Sequence, residues 1–266
     1  MTSAMHASSS AKRWGPLWGA RPADWAISEE QHIPGYEAAL ARVALEPGQR
    51  VLDVGCGVGV FLALVAERGA EPHGIDAAET LIALARQRLP EADLRVGDME
   101  SLPYESDSFD LVTGFTSFFF ANDMVGALRE AGRVAKSRSA VVIQVWGAHE
   151  RCSLEAMKEI ARPFMPPRPP DAPPDPDFSQ PGTLEALATE AGLTPAEAFV
   201  TSWAYTYPDA ATLGRALLAP AGFARLVGPD HEDAAKAAIV DGLASFRLPD
   251  GSYRLENEYR YLIARA

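Results

Sequence analysis

The strongest constraint on the fold is a glycine-rich run that directly follows a short apolar segment. Residues 51–54 read V-L-D-V, and residues 55–59 read G-C-G-V-G. Residues 60–68 then have the apolar spacing of a helix, which Gly69 ends. Glycines between a strand and a helix let a ligand approach the backbone, and the helix N-terminus offers unpaired N–H groups. The segment therefore predicts a strand, a ligand-binding loop and a helix.

The same alternation continues through the first half of the chain. Apolar runs predict strands at residues 51–54, 72–76, 94–97, 109–114 and 140–146. Helical spacing predicts helices at residues 36–45, 60–68, 79–89 and 124–136. Strands that alternate with helices in this way predict an α/β fold with a parallel, doubly wound sheet.

The second half of the chain has a different character. Residues 165–178 read M-P-P-R-P-P-D-A-P-P-D-P-D-F, which excludes a helix or a central strand, so we expect a mobile connection there. Short helices are predicted on either side, at residues 154–161 and 184–191. A strand around residues 198–205, helices within 209–246 and a last strand at 258–264 follow.

These patterns divide the chain into four regions. Residues 1–33 are expected to form an N-terminal arm over the ligand site, beginning with a frayed tail over the first 14 residues. The α/β core takes residues 34–150, and a cap with the proline-rich connection takes residues 151–195. Residues 196–266 are predicted to complete the sheet and the substrate pocket.

Composition narrows the range of partners. The net charge of −12 disfavours binding to nucleic-acid phosphates, and no apolar run approaches the roughly 20 residues that cross a bilayer. The N-terminus has no apolar segment of the kind that secretory signals carry. The chain has only two cysteines, Cys56 and Cys152, and no spacing of ligand residues that indicates a metal site. We therefore expect a cytoplasmic protein that binds a small molecule, with no metal, nucleic-acid or membrane partner.

Acidic residues end three successive predicted strands. Asp53 lies just before the glycine loop, Asp76 ends the second strand, and Asp98 with Met99 follows the third. One such aspartate alone is commonly a turn residue. Because parallel strands end at one edge of a sheet, the three carboxylates are expected to meet beside the loop. A carboxylate about 20 residues after the loop is suited to the hydroxyls of a ribose, so a nucleoside site is predicted.

The motifs V-L-D-V-G-C-G-V-G, G-I-D and G-D-M-E-S-L-P-Y-E-S-D-S-F-D-L-V resemble the small-molecule branch of the class I S-adenosylmethionine (SAM) dependent methyltransferases, over about residues 36–147. The resemblance implies a Rossmann-like, mostly parallel sheet of seven strands in the order 3-2-1-4-5-7-6, with the last strand antiparallel and with helical cap insertions. It also implies SAM as the cofactor. Many relatives read K-P-G-G before the fifth strand, whereas residues 136–139 here read K-S-R-S, so a different turn is expected.

The predicted cofactor contacts lie around the loop and the strand ends. The resemblance implies Asp53, Gly55, Gly57, Asp76, Asp98 and Met99, and position adds Cys56, Ala77, Phe115 and Thr116. The methionine carboxylate of SAM is expected to use the positive end of the helix that begins at residue 60. Cys56 fits equally well as a small packing residue. The three phenylalanines at 118–120 either line the pocket or pack in the core.

Residues of the acceptor side are predicted from aromatic content and position. Trp25, His32, Tyr36 and Phe119 are candidates for substrate binding, whereas Trp14 and Trp18 fit the role of anchors for the N-terminal arm. His149 follows the fifth strand directly, so it is the candidate general base. Its alternative is an ordinary surface histidine.

These expectations favour transfer of a methyl group from SAM to a small, apolar acceptor, such as a secondary metabolite, by direct in-line displacement. Two alternatives remain open: a SAM-binding enzyme that catalyses cyclisation or decarboxylation, and a SAM-sensing module whose cap binds a protein. A dehydrogenase is disfavoured, because Val60 stands where the dinucleotide-binding motif has its third glycine.

Overall fold

The computed structural model describes residues 9–164, 177–221, 223 and 231–266. Helices α1 (Ser10–Trp18), α2 (Pro22–Glu30) and α3 (Ile33–Val43) precede the sheet. The core then runs through β1 (Arg50–Val54), α4 (Val60–Glu67), β2 (Glu71–Asp76), α5 (Glu79–Arg88), β3 (Asp93–Val96), β4 (Phe109–Phe115), α6 (Met124–Val134) and β5 (Ala135–Trp146). The later elements are α7 (Ala156–Ala161), α8 (Thr183–Glu190), β6 (Thr194–Tyr207), α9 (Ala210–Leu218), α10 (Glu232–Gly242) and β7 (Tyr253–Arg265).

The strands form one seven-stranded sheet in the order β3-β2-β1-β4-β5-β7-β6. Strands β1 to β5 pair in parallel, and β7 is antiparallel to both β5 and β6. The predicted fold is therefore confirmed, including the strand order and the antiparallel last strand. The chain order of the strands reverses between β1 and β4, and in open α/β sheets ligands bind at such a reversal.

The central strands are covered on both faces. Along β1, Val51 belongs to the apolar core beneath α3, α4 and α5, whereas Leu52 and Val54 belong to a second core beneath α6 and α8. All three side chains are completely buried. Burial on both faces explains why the sequence of β1 is almost continuously apolar, as expected for a parallel strand between two helical layers. No helix in the described ranges is both long and apolar enough to cross a membrane.

The structure corrects three boundaries. Helix α6 ends at Val134, and residues 136–139, predicted partly as helix, belong to β5, where Arg138 has a φ of 65°. Strand β7 begins at Tyr253 instead of residue 258, because it pairs with β6 along nearly its whole length. Residues 10–14, predicted as part of a frayed tail, lie in α1, which the Ser9 side chain caps at the N–H of Lys12. The predicted mobile connection lies, up to residue 176, outside the described residues.

Replacement of Gly35 by alanine tests the packing of α3 on the sheet. A Cβ atom at Gly35 would lie 2.4 Å from Cη2 of Trp203 and 2.5 Å from the hydroxyl of Tyr261. Both rings are buried and packed, so neither can move freely. We expect Gly35→Ala to lower the free energy of unfolding by about 1–3 kcal/mol, measured by denaturant titration.

Gly214→Ala in α9 is the matched control. There a Cβ atom would meet only Lys236, at 3.5 Å, which is an ordinary contact distance. Alanine also has the higher helix propensity, so this variant should be neutral or stabilised by about 0.4–1 kcal/mol. Equal stability of the two variants would contradict the described packing of α3.

Candidate functional site

A cleft opens at the carboxyl edge of the sheet, beside the loop between β1 and α4. The loop turns sharply because Gly55, Gly57 and Gly59 have φ values of 82°, 54° and 80°, a region that favours glycine. The Gly55 N–H donates to the carbonyl oxygen of Ile75 at 2.7 Å, which fixes the loop against the end of β2. The cleft holds about 660 Å³ of space between its walls, with the solvent at its open mouth included.

Residues of several segments form the walls of the cleft. The loop, the ends of β2, β3 and β4, and helices α1 and α2 all contribute. The predicted cofactor contacts in these walls are Gly55, Gly57, Asp76, Ala77, Asp98, Met99, Phe115 and Thr116. The structure therefore brings most of the predicted set together around one cavity, and their role in cofactor binding stays a prediction.

Asp76 joins the end of β2 to the glycine loop. Its Oδ2 atom accepts a hydrogen bond from the Gly57 N–H at 3.0 Å, and its Oδ1 atom accepts one from the Ala78 N–H at 2.8 Å. Burial raises the pKa of this carboxyl, although those hydrogen bonds act in the opposite direction. Each carboxylate oxygen has a second lone pair, so Asp76 has acceptor capacity for a ligand in the cleft.

Asp98 fastens helix α1 over the far end of the cleft. Its Oδ1 atom accepts from the Ser10 hydroxyl at 2.9 Å, and its Oδ2 atom accepts from the Ala11 N–H at 3.3 Å. Partial burial raises the pKa of Asp98, but the hydrogen bonds from Glu100, Ser10 and Ala11 outweigh it, so the pKa is lowered. Asp98 is therefore held as an anion that links the N-terminal arm to the end of β3.

Thr116 has a strained backbone at the end of β4. Its φ of 49° is unusual for a β-branched residue, and its N–H donates to the carbonyl oxygen of Gln144 at 3.0 Å. Such strain costs about 1–3 kcal/mol and is often found at binding sites. The conformation places Thr116 in the wall of the cleft, next to Phe115.

Two predicted contacts, Asp53 and Cys56, lie beneath the cleft instead of in its wall. Asp53 is 4% exposed and accepts a hydrogen bond from the Thr113 hydroxyl at 2.7 Å. Burial raises the pKa of Asp53 to about 8, and the charges of Glu29 and Asp76 add to the effect. Cys56 is 2% exposed and packs behind Gly74. This position agrees with the alternative interpretation of Cys56 as a small packing residue.

Sequence reasoning missed Glu29, whose carboxylate occupies the N-terminus of α4. Its Oε2 atom accepts from the Val58 N–H at 2.7 Å, and its Oε1 atom accepts from the Val60 N–H at 3.0 Å. The Trp25 indole N–H donates to Oε2 at 2.8 Å. The expectation that a cofactor carboxylate takes this helix end is therefore corrected, because Glu29 already satisfies these donors. The four-residue spacing of Trp25 and Glu29 shows that they share a helix face, but it does not identify the loop as their partner.

Glu29 and Asp53, which are buried, and Asp76, which is half-buried, form a group of carboxylates around the loop. Burial raises the pKa of Glu29 to about 7, against the hydrogen bonds from Val58, Val60 and Trp25, and the Asp76 charge adds to the rise. Among the described residues, no Lys or Arg side chain pairs with any of the three, and no cation contributes to their pKa shifts. A positively charged ligand in the cleft would stabilise the ionised form of these carboxylates.

Aromatic side chains of the N-terminal arm cover the cleft. Trp25 lies in its wall, and so do Trp14 and Trp18, which were expected to be anchors. Trp14 and Trp18 both pack edge-on against Phe120, with ring centroids 5.0 and 5.3 Å away, and Trp18 also packs on Trp25 at 4.7 Å. Phe118 is buried in the core, so the three successive phenylalanines divide between core and cavity.

His32 and Tyr36, predicted to bind substrate, lie in the core beside the cleft and line neither of the two cavities that hold the other candidates. The Nε2 atom of His32 is 2.8 Å from the Tyr205 hydroxyl, and burial lowers the pKa of His32 to about 3, so the ring is neutral. Tyr36 packs edge-on against Phe115, which does reach the cleft. A direct substrate contact by either residue remains a prediction.

A second cavity lies at the end of β5 and contains the predicted base. His149 and Phe119 line it together with Trp146 and Phe178. The Nδ1 atom of His149 is 2.8 Å from Oε1 of Glu155, which orients the imidazole ring. Phe119 packs against Phe120 of the cleft wall with ring centroids 4.6 Å apart, so the second cavity adjoins the cleft.

Comparison with known proteins agrees with this fold. Residues 52–143 match the family model described as a methyltransferase domain. Aklanonic acid methyltransferase DauC from Streptomyces sp. (strain C5) is 45% identical over 89 residues, which are 30% of this chain and 40% of that protein. The chain spans about two fifths of the length of the curated relatives it matches, with 43%, 44% and 40% covered in three of them.

Solved structures show the same fold. The YcgJ protein from Bacillus subtilis has a TM-score of 0.57 at 18% identity, covering 88% of this chain and 100% of that one. The [4+2]-cyclase SpnF has a TM-score of 0.56 at 19% identity, covering 87% and 79%. The chain therefore has the fold of these solved structures, and its residues 52–143 are similar to a methyltransferase domain, as the motifs predict.

Replacement of Asp53 by asparagine tests how far the buried carboxylate of Asp53 lowers the free energy of unfolding. Because the pKa of Asp53 is raised from 3.8 to about 8, the folded chain keeps a proton that the unfolded chain loses, and stability falls as pH rises between those values. Asparagine keeps an acceptor for Thr113 without a charge. We expect Asp53→Asn to raise the free energy of unfolding by about 1–3 kcal/mol at pH 8 and to have little effect near pH 4.

Asp110→Asn is the matched control, measured in the same denaturant titrations. Partial burial raises the pKa of Asp110, but the hydrogen bonds from Lys136 and Arg50 outweigh it and lower the pKa. This variant should therefore lose stability at pH 8. A loss of stability at pH 8 for both variants would show that Asp53 is stabilising as an anion, against our reading.

Proposed function

We propose that the chain is a SAM-dependent methyltransferase that acts on a small, largely apolar acceptor. The observation that carries the proposal is the meeting of the glycine loop, Asp76 and Asp98 in one cleft whose neighbouring carboxylates have no cationic partner among the described residues. A sulfonium and an ammonium group would stabilise the ionised form of these carboxylates, and an adenosine supplies hydroxyls and an amino group for the two aspartates.

The residues present fit an adenosyl group in a defined direction. Asp76 lies beside Gly57, where a ribose can approach the backbone, and Asp98 with Met99 lies at the far end, where an adenine ring can pack against a thioether. The helix end beyond Gly57 is taken by Glu29. We therefore place the ribose at Asp76, the adenine at Asp98 and Met99, and the sulfonium towards Thr116.

The contribution of the chain to methyl transfer is positioning. Bound SAM supplies an activated methyl group on its sulfonium, so no covalent enzyme intermediate is needed. Holding both reactants in an attack geometry is worth on the order of 7–11 kcal/mol in favourable cases. Aromatic side chains line both cavities and would limit the access of water to the reacting groups. On the acceptor side, the apolar lining with Phe119, Trp146 and Phe178 suits a small, flat, apolar acceptor, such as a secondary metabolite.

Incubation with methyl-labelled SAM and a panel of small hydroxylated and carboxylated aromatic acceptors tests the proposal. Transfer of label to any acceptor supports it. Tight binding of SAM in calorimetry with no transfer across the panel would favour a SAM-binding enzyme of another reaction type, and SpnF, a [4+2]-cyclase, has the same fold. Tighter binding of NAD than of SAM would contradict the proposal altogether.

Asp76→Ala is expected to weaken SAM binding by about 1–3 kcal/mol, because two charge-assisted hydrogen bonds to the ribose hydroxyls are lost. Isothermal titration calorimetry measures the change in Kd. The control is Asp93→Ala, which removes a carboxylate at the opposite end of the same sheet region, where it pairs with Arg95. An unchanged Kd in Asp76→Ala would contradict the ribose role.

His149→Ala tests the acceptor side separately. We expect kcat to fall by about 10²-fold or more if His149 removes the acceptor proton, with the Kd for SAM unchanged because His149 lines the second cavity and not the cleft. Single-turnover kinetics at saturating SAM give the rate of the chemical step. Turnover at the rate of the unchanged enzyme would remove His149 from the mechanism and leave positioning as the only contribution.

A further inference from the structure

Helix α2 is joined to the glycine loop by one buried side chain. Glu29 is 3% exposed, and its two oxygens accept from the backbone N–H groups of Val58 and Val60. Helix α4 begins at Val60, and its N-cap residue, Gly59, has no side chain to satisfy those donors. Glu29 therefore caps α4 from a different helix, and this contact couples α2 to the conformation of the loop.

The fit between Glu29 and the loop is close. A Cβ atom at Gly57 would lie 2.0 Å from Oε2 of Glu29, so any side chain at Gly57 displaces the carboxylate. Gly57 has two structural reasons to be glycine: its φ of 54° and the approach of Glu29. The carboxylate is thus built into the loop and is not a surface group that folds onto it.

The same carboxylate orients a wall of the cleft. The indole N–H of Trp25 donates to Oε2 of Glu29, and Trp25 packs edge-on against Trp18 of α1. Both tryptophans line the cleft. Other polar contacts of the arm are those of α1 with Asp98, of Ser28 with the Ala216 carbonyl and of Arg21 with Glu232.

We propose that Glu29 is a positioning residue that clasps the N-terminal arm to the glycine loop and thereby holds Trp25 and Trp18 closed over the cofactor. The inference rests on the proposed function for its ligand, SAM. It assigns to Glu29 an effect on cofactor affinity that is separate from the chemical step. With the contact between Glu29 and the loop intact, the cleft is preformed. Without this contact, part of the free energy of SAM binding is used to order α1 and α2.

Glu29→Gln is the test, because it keeps the size of the side chain while removing the charge and placing an amide N–H against one of the loop N–H groups. We expect the Kd and the KM for SAM to rise about tenfold, the worth of one charged hydrogen bond. We expect kcat at saturating SAM to stay within about twofold, because the reacting groups are untouched. Hydrogen exchange should accelerate in α1 and α2 and stay unchanged in β1, β4 and β5.

Glu30→Gln is the matched control. Glu30 is the neighbouring residue, is largely exposed, and lies 3.4 Å from Arg88 across the surface. The Glu30→Gln variant should have the same Kd and KM for SAM and the same hydrogen-exchange pattern as the unchanged protein. Glu29→Asp is the second variant, used if the glutamine variant fails to fold. It keeps the charge but is one methylene shorter, so it should shift the same quantities in the same direction by a smaller factor.

The outcomes separate this proposal from the proposed function. A Kd for SAM in Glu29→Gln within twofold of the unchanged protein overturns the clasp. Faster exchange throughout the sheet, with a lower kcat and an unchanged KM, also overturns it, because that is the signature of a structural residue alone. If the unchanged protein binds no SAM, the proposed function fails, and the exchange of α1 and α2 in Glu29→Gln still decides whether the clasp exists.

Discussion

The cleft depends on how the loop between β1 and α4 is held from two sides. From the sheet, Asp76 accepts the N–H of Gly57, and from the N-terminal arm, Glu29 accepts the N–H groups of Val58 and Val60. A loop of this kind has more backbone donors than its own turns can satisfy, and buried donors without partners are costly. Because both partners are carboxylates, the arrangement that orders the loop also concentrates negative charge beside the cleft.

This concentration of negative charge affects both the stability of the free chain and the binding of a ligand. Burial raises the pKa of Glu29, Asp53 and Asp76, so folding of the ligand-free chain is penalised at neutral pH. A cationic ligand recovers part of that penalty on binding. Binding sites commonly lower the stability of the free chain, because such a site is adapted to the complex.

Most of the fold followed from local patterns in the sequence. Apolar periodicity located β1, α4, β2 and α5 to within a few residues, and the repetition of strand and helix fixed the parallel sheet. The strand order and the antiparallel β7 came from the resemblance of the motifs to a family. The extra length of β5 and β7 was missed because it depends on pairing between strands distant in sequence, as in the Tyr207 to Tyr253 pair.

For the site as well, the sequence predicts some residues and does not predict others. Residues that follow strands, such as Asp76 and Asp98, were found because parallel strands end at one edge. Asp53 was expected in the wall, but the strand alternation turns its side chain into the core against Thr113. Helix α1 looked like a tail because much of its stability comes from contacts with Asp98 and Phe120. Glu29 could not be assigned, since nothing in its local sequence shows that α2 packs on the loop.

A crystal structure of the chain with S-adenosylhomocysteine is the decisive test of the proposed site. We expect the ribose hydroxyls within hydrogen-bond distance of Asp76, the adenine between Met99 and helix α1, and Glu29 still bonded to the loop. Density for the ligand in the cavity beside His149 instead, or an adenosyl group that contacts neither Asp76 nor Asp98, would contradict it.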